Sequence, residues 1–411
     1  MNCRHCGQAL NHVFLDLGFA PPSNAYMTET DLRAPEAYFP LKLFVCESCW
    51  LVQTEDYSRA DELFRSDYAY FSSVSQTWLE HAAQYVNQVT TSFSLDADSF
   101  VVEVASNDGY LLKNFVARGV PCLGIEPTAS TAAAAEALGI PTLREFFGSE
   151  LASRVDAAHG KADLVLGNNV YAHVPDINDF TAGLKVLLKP RGVVTLEFPH
   201  LLRLIEQTQF DTVYHEHFSY LSLHVVDRIF RHTGLRVWNV QRLPTHGGSL
   251  RVFGCHLDDP RATTAAVAEL LAEELNGGLE EITTYSHFQA RANLIKNNLL
   301  HFLIEQTRAG KVVAAYGAAA KGNTLLNYAG IRSDLLPYVC DAAPSKQGKY
   351  LPGSHIPILS PRVLRERRPD IVLVLPWNIA QEVVSQNAEV RAWGGRFVTA
   401  VPELQFIGTG S

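Results

Sequence analysis

The chain has 411 residues, 47% of them hydrophobic and 19% charged, with a formal net charge of -9 at pH 7. That length exceeds what one hydrophobic core ordinarily serves, so two or three domains are expected. The acidic balance excludes a broad face for nucleic acid but not a local pocket for one phosphate-bearing metabolite, and no apolar run reaches the roughly 18 residues of a membrane span. The opening Met-Asn-Cys-Arg-His-Cys holds no apolar signal core, so a cytoplasmic location is expected.

Cys3-Arg4-His5-Cys6 and Cys46-Glu47-Ser48-Cys49 form two CxxC pairs. Each pair can grip a metal from a tight turn, and four thiolates complete the closed tetrahedral shell of a structural zinc site. A redox CxxC would not need a second pair, and His5 or His12 replacing one thiolate is the weaker variant. A closed shell leaves no position for substrate, so this Zn2+ serves folding.

Phe39 to Val52 alternates like short strands flanking the second knuckle, as in a zinc ribbon. Tyr57 to Val89 reads as largely helical, interrupted by Tyr68-Ala69-Tyr70-Phe71-Ser72-Ser73, which suits either helix core or a lid over a site in the next domain.

From Phe100 strands and helices alternate. Phe100 to Val104 is a buried strand, Ala105-Ser106-Asn107-Asp108-Gly109-Tyr110 a tight turn, and Leu111 to Phe115 the opening of a helix. Cys122 to Pro127 is a second strand ending in Glu126, a position suited to gripping a ribose diol. A nicotinamide site would want G-x-G-x-x-G for close approach to a pyrophosphate. This turn has only Gly109 and carries Glu103, Asn107 and Asp108, which repel pyrophosphate and suit a cationic sulfonium, so S-adenosylmethionine is the expected ligand. Asp163 to Gly167 is a further strand running into Asn168-Asn169. A helix around Phe180 to Leu188, a Lys189-Pro190-Arg191-Gly192 turn and the strand Val193 to Phe198 follow.

Just beyond Pro199 lies the densest chemistry of the chain, Asp211-Thr212-Val213-Tyr214-His215-Glu216-His217-Phe218-Ser219-Tyr220, expected on the carboxyl side of the sheet where open α/β folds bind ligands. A helix from Leu223 to Thr233, a strand from Leu235 to Gln241, the turn Thr245-His246-Gly247-Gly248-Ser249 and an antiparallel return through Cys255 would complete seven strands.

Asp258 to about Thr307 reads as a helical connector. A second α/β unit then opens with the strand Lys311 to Tyr316 and the small-residue turn Gly317 to Thr324. A helix N-terminus there, with Lys321, can hold a phosphate; close packing by alanines is the plainer reading. Strands at Leu336 to Cys340, ending at Asp341, and at Asp370 to Leu375 follow, with Ser345-Lys346-Gln347-Gly348-Lys349 adding donors between them.

These motifs in this order resemble the three-domain sugar C-methyltransferases that act on nucleotide-linked keto-deoxysugars. The resemblance covers essentially the whole chain and implies an α/β protein with an N-terminal zinc-binding domain (1–65), a central seven-stranded, Rossmann-like class I methyltransferase domain (66–258), and a C-terminal Rossmann-like domain with its connector helices (259–411). It implies S-adenosylmethionine contacts on Glu103, Ala105, Ser106, Asn107, Asp108, Glu126, Pro127, Asn168 and Asn169, and near Tyr68 to Ser72. A dTDP-linked keto sugar would be held by Tyr70, His246, Lys321, Asn323, Asp341 and Lys346. The segment matching Tyr214-His215-Glu216-His217 is catalytic in that family, its last histidine the base, and the residue matching His173 faces the sugar. The glycine-rich first turn of the wider methyltransferases is absent.

Methylating a carbon requires a nucleophilic carbon, which a base can make beside a ketone. On this reading His217 abstracts the α proton, Glu216 orients imidazole, and Tyr214 with His173 polarises the ketone, C-3 being the favoured position. The spacing of His215 and His217 splays metal ligands, which argues against a catalytic metal. His215 is the expected bystander. Rival readings are an O- or N-methyltransferase on another small molecule and a non-catalytic zinc-ribbon binding protein.

Overall fold

A computed structural model describes residues 1–55 and 71–408. Tyr68 and Tyr70 lie outside the described residues. The chain divides into two compact units: Met1–Asn11, Val45–Leu202 and Phe218–Glu280 make the first, and His12–Phe44, Arg203–His217 and Glu281–Ser411 the second. The strands β1 (His12–Ala20) and β2 (Phe39–Val45) precede the second cysteine knuckle and belong, up to Phe44, to the second unit.

In the first unit, β3 (Val52–Thr54) follows the second knuckle, and the helix α1 (Gln76–Phe93) starts where Ser75 Oγ accepts from Trp78 N at 3.3 Å. The strands β4 (Val101–Val104), β5 (Cys122–Ile125), β6 (Thr142–Leu143), β7 (Ala162–Asn168) and β8 (Leu188–Pro199) run parallel. Every residue of β4 and β5 is buried, as strands covered on both faces require. The short β9 (Ser219–Tyr220) pairs with β3, while β10 (Leu235–Leu243) and β11 (Ser249–His256) add antiparallel strands. The order β10-β11-β8-β7-β4-β5-β6 is the expected seven-stranded sheet. The helix α2 (Leu223–Thr233) also forms as expected: Ser222 Oγ accepts from Val225 N, and Gly234 at φ +84° ends it in the left-handed region.

One local expectation fails. Lys189-Pro190-Arg191-Gly192 is not a turn between helix and strand but part of β8. Leu188 stands opposite Ala162 and Val193 opposite Leu164, so the intervening residues are taken up as an irregularity of register. Gly192 permits this, because a Cβ there would meet Leu188 Cδ1 at 2.7 Å and Ala162 O at 2.9 Å.

In the second unit Phe14 of β1 packs against Tyr285 and against Phe288 of the helix α3 (Phe288–Arg308). The strands β12 (Val313–Tyr316), β13 (Val339–Cys340), β14 (Ile358–Leu359), β15 (Ile371–Val374), β16 (Arg396–Thr399) and β17 (Gln405–Ile407) form a sheet of order β14-β13-β12-β15-β16-β17. The helix α4 (Ala320–Ala329) follows β12. The chain leaves β12 toward β13 on one side and resumes at β15 on the other, so the order in which the parallel strands are added reverses between β12 and β15. That reversal is where open α/β sheets bind ligands.

Candidate active site

The four cysteines of the two knuckles belong to the first unit, and their sulfurs all lie within 4.8 Å of one another. Two pairs, Cys3 with Cys49 and Cys6 with Cys46, stand 3.5 Å apart. Tetrahedral thiolates at about 2.3 Å from a zinc ion are separated by roughly 3.8 Å, so the donor set fits Zn2+ with shifts of about 1 Å or less.

At the carboxyl ends of β4 and β7 the backbone is strained where side chains collect. Ala105, Asn107 and Gly109 have φ of 57°, 49° and 75°, and Asn169 has φ 54°. Left-handed backbone costs a non-glycine residue roughly 1 kcal/mol or more, so the turn needs ties. Asn107 N donates to Glu126 Oε2 at 2.9 Å, and Thr128 N donates to Glu126 Oε1 at 2.9 Å. Asn107 Oδ1 and Asp108 Oδ2 accept from Ser72 N and Ser73 N. Gly109 fits beneath the turn because a Cβ would meet Ile140 Cδ1 at 2.4 Å.

Several polar atoms here are buried and have no partner among the described residues: Glu103 Oε2, Asp108 Oδ1, both amide atoms of Asn168, and Asn169 Oδ1. Buried polar groups are ordinarily paired, and these acceptors with the Asn168 amide fit a cationic ligand that also carries hydroxyls. Burial, then Glu126 and Asp108, push the Glu103 carboxyl well up. Ser106 Oγ is likewise buried without a partner among the described residues; its N-H donates to Ile125 O, and a Cβ on Gly124 would meet Oγ at 2.5 Å. Asn169 Nδ2 lies 3.2 Å from His246 Nε2, and His173 ends a short helical turn at Tyr171–His173.

A network the sequence reading missed stands beside Asn169. Glu197, fully buried in β8, accepts from His81 Nε2 at 3.0 and 2.9 Å, from Arg251 Nη2 at 2.6 Å and from Thr245 Oγ1 at 3.1 Å. Burial alone would raise its carboxyl; the hydrogen bonds from His81 and Arg251 hold it below the usual value. An acid inside the apolar run Val193 to Phe198 was the available signal.

The segment Arg203–His217 falls in the second unit, whereas Phe218–Tyr220 falls in the first. The stretch expected as one piece on the methyltransferase sheet is therefore divided. Its first part is drawn to the second unit by named bonds: Thr324 Oγ1 donates to Val213 O at 2.7 Å, Trp377 Nε1 to Asp211 Oδ2 at 2.7 Å, and Asn24 Nδ2 to Glu216 Oε1 at 3.1 Å. Tyr214 OH and His217 Nε2 stand 2.7 Å apart, with ring centroids 4.0 Å apart. His215 is buried, its Nε2 3.2 Å from Pro40 O, and burial lowers its pKa, which keeps it neutral. Burial raises the Glu216 carboxyl.

At the reversal of the second sheet, Gly317 has φ +96°, and a Cβ there would meet Pro376 Cδ at 2.4 Å, so the loops after β12 and β15 are in close approach. Lys321 Nζ donates to Asn378 Oδ1 at 3.0 Å and lies 4.8 Å over the Trp377 ring. Asp341 accepts from Ala318 N and Ala343 N, Lys346 Nζ donates to Ala318 O at 2.9 Å, and Asn323 Nδ2 donates to Ser23 O at 2.7 Å. Asp341 and Asn323 thus brace the loops around this crevice.

Family models match consecutive stretches: a zinc binding domain over residues 3–64, a methyltransferase domain over 78–240, and a C-methyltransferase C-terminal domain over 244–402. The C-methyltransferase NovU of Streptomyces niveus is 35% identical over 405 residues, which cover 98% of this chain and 96% of that protein. The chain belongs to the C-methyltransferase family. As a C-methyltransferase it depends on S-adenosylmethionine and carries a zinc-binding N-terminal region. Likenesses to solved structures are slight. The magnesium protoporphyrin IX methyltransferase of Synechocystis PCC 6803 gives a TM-score of 0.35 at 13% identity, covering 43% of this chain and 83% of that one. The PH0226 protein of Pyrococcus horikoshii OT3 gives 0.39 at 12%, covering 47% and 98%. Among the described residues no helix of this C-methyltransferase is long and apolar enough to cross a membrane.

Proposed function

We propose that this C-methyltransferase deprotonates a dTDP-linked keto-deoxysugar beside its ketone and methylates the resulting enolate carbon, C-3 in preference. The observation that carries the reading is the Tyr214–His217 pair. A ketone oxygen and its α carbon are roughly 2.4 Å apart by ordinary bond lengths, and the phenol oxygen and imidazole nitrogen are 2.7 Å apart. One substrate can therefore meet both. When the ketone accepts the Tyr214 O-H, the His217 Nε2 lone pair is released to take the α proton, and the phenol stabilises the charge that develops on oxygen. Glu216, held by Asn24, fixes the turn that carries His217, and His173 is assigned to the ketone as a second donor.

When bound, S-adenosylmethionine supplies an electrophilic methyl on a cationic sulfur. Glu103, Asp108, Asn168 and Asn169, with their buried unmet polar atoms, and Asn107 and Glu126 through the turn they fix, are the residues of this chain that would hold it. Lys321, Lys346 and His246 are assigned to the sugar nucleotide, with Asn323 and Asp341 shaping its site.

The test incubates the enzyme in D2O with a panel of nucleotide keto sugars, with and without S-adenosylmethionine, and locates deuterium and methyl by NMR. His217→Asn should slow both exchange and methylation at least about 10²-fold. Exchange at the wild-type rate in that variant would remove His217 as the base, and a methyl found on oxygen or nitrogen would remove the enolate reading.

A further inference from the structure

Asp211 stands three residues before Tyr214 and is wholly buried. Its two oxygens are in unequal positions. Oδ2 accepts the Trp377 indole N-H at 2.7 Å, and Oδ1 is buried with no partner among the described residues. Trp377 follows β15 and lies under the Lys321 ammonium, which sits in the first turn of the ten-residue helix α4 after β12. These three side chains therefore join the catalytic segment to both banks of the crevice where the six-stranded sheet reverses. Lys321 is the one charged group that acts appreciably on Asp211 among the described residues, and Trp377, the other neighbour, does not titrate.

We infer that Asp211 is a positioning residue that ties this crevice to the segment bearing Tyr214 and His217, and that it takes up a proton when an anionic ligand engages Lys321. The inference rests on the sugar-nucleotide reading above, which supplies the anion as a diphosphate. The reason is charge balance. With Lys321 turned to a diphosphate, an ionised Asp211 is a buried charge with no counter-charge of its own beside another negative group, and such a group neutralises instead. Protonation keeps the anchor: Oδ2 still accepts from the indole, and what is given up is only the charge that the backbone N-H groups of Asp211 and Thr212 favour. Burial already pushes the Asp211 carboxyl up to about 6 and draws Lys321 down to about 8, so both lie within reach of neutral pH. The anchor at Trp377 then persists through binding, which keeps the Tyr214–His217 pair in register with the crevice.

The experiment is calorimetry of dTDP-glucose binding to the full chain at pH 7, in PIPES and in Tris, whose ionisation enthalpies differ. The sugar diphosphate is a diester and does not titrate near that pH, so any proton exchanged comes from the protein. The wild type should take up between about one third and one proton per ligand bound. Asp211→Asn, whose amide oxygen can keep the indole bond, should lose most of that uptake, leaving only what Lys321 itself gains, and bind within about tenfold of wild type, whereas Asp211→Leu, which drops the bond, should lose at least about tenfold in kcat with little change in KM. Lys321→Met, which removes the charge to be balanced, should bind more weakly and without proton uptake. Undiminished uptake in either variant overturns the inference, and so does binding to the wild type without uptake, which leaves the substrate reading intact. No binding of dTDP-glucose to the wild type overturns both.

Discussion

If His217 is the base, as proposed, its proton chemistry depends on where the Tyr214 hydroxyl points, since the phenol is within hydrogen-bond reach of Nε2. On that proposal Tyr214→Phe removes the oxyanion donor while exposing the base, so kcat should fall by about 10²- to 10³-fold with KM little altered, as steady-state kinetics on the proposed keto sugar would show. At Asp211 the sign of the pH effect follows from its raised pKa. Its stabilising contribution is complete below about pH 4 and is lost as pH rises through about 6, because the folded state must then carry a buried ionised carboxylate. Asp211→Asn does not titrate, so between pH 4 and 7 its stability should gain on the wild type by up to about 3 kcal/mol. Urea denaturation across that range checks this, and a flat difference would show that the carboxylate is not buried. Single residues were legible in the sequence where types cluster, as in Tyr214-His215-Glu216-His217. Asp211 was visible only as a neighbour of that cluster, because its partner Trp377 lies 166 positions away. Glu197 was read as strand, since its partners His81 and Arg251 come from a helix and a strand distant in the chain.

Elements with local signals were readable nearly to the residue. α2 carries its own start at Ser222 and its own stop at Gly234, and Ser222→Ala should cost about 1 kcal/mol in chemical denaturation. Lys189-Pro190-Arg191-Gly192 shows the limit: Pro and Gly signal a turn locally, yet pairing with β7 on both sides carries the strand through. The short strands β14, β16 and β17 escaped the reading, and so did the nine-residue β1, whose apolar alternation lies between the two cysteine pairs that drew the attention. Between β12 and α4 the tight element is Gly317. Gly317→Ala meets both an adverse φ and the Pro376 ring, so it should cost about 1–3 kcal/mol and weaken nucleotide-sugar binding in the same calorimetric assay.

At the scale of the molecule, the two cysteine pairs were the clearest statement in the sequence, because a fixed spacing repeated twice has few other uses. Metal analysis should find about one zinc per chain. Stripping it with a strong chelator should lower the melting temperature, and Cys46→Ser should reduce bound zinc whether or not activity is followed; a chain that keeps its melting temperature without metal would count against a structural site. What no periodicity could reveal is that the second unit is assembled from three separated lengths of chain, His12–Phe44, Arg203–His217 and Glu281–Ser411. This bears on how the protein can be recombined. A chimera that exchanges only residues 281–411 with a relative would put a foreign surface under Asp211, Val213 and Ser23, whose partners are Trp377, Thr324 and Asn323. Acceptor preference should transfer between relatives only when all three lengths travel together, so the unit of inheritance for specificity is not a contiguous piece of the gene.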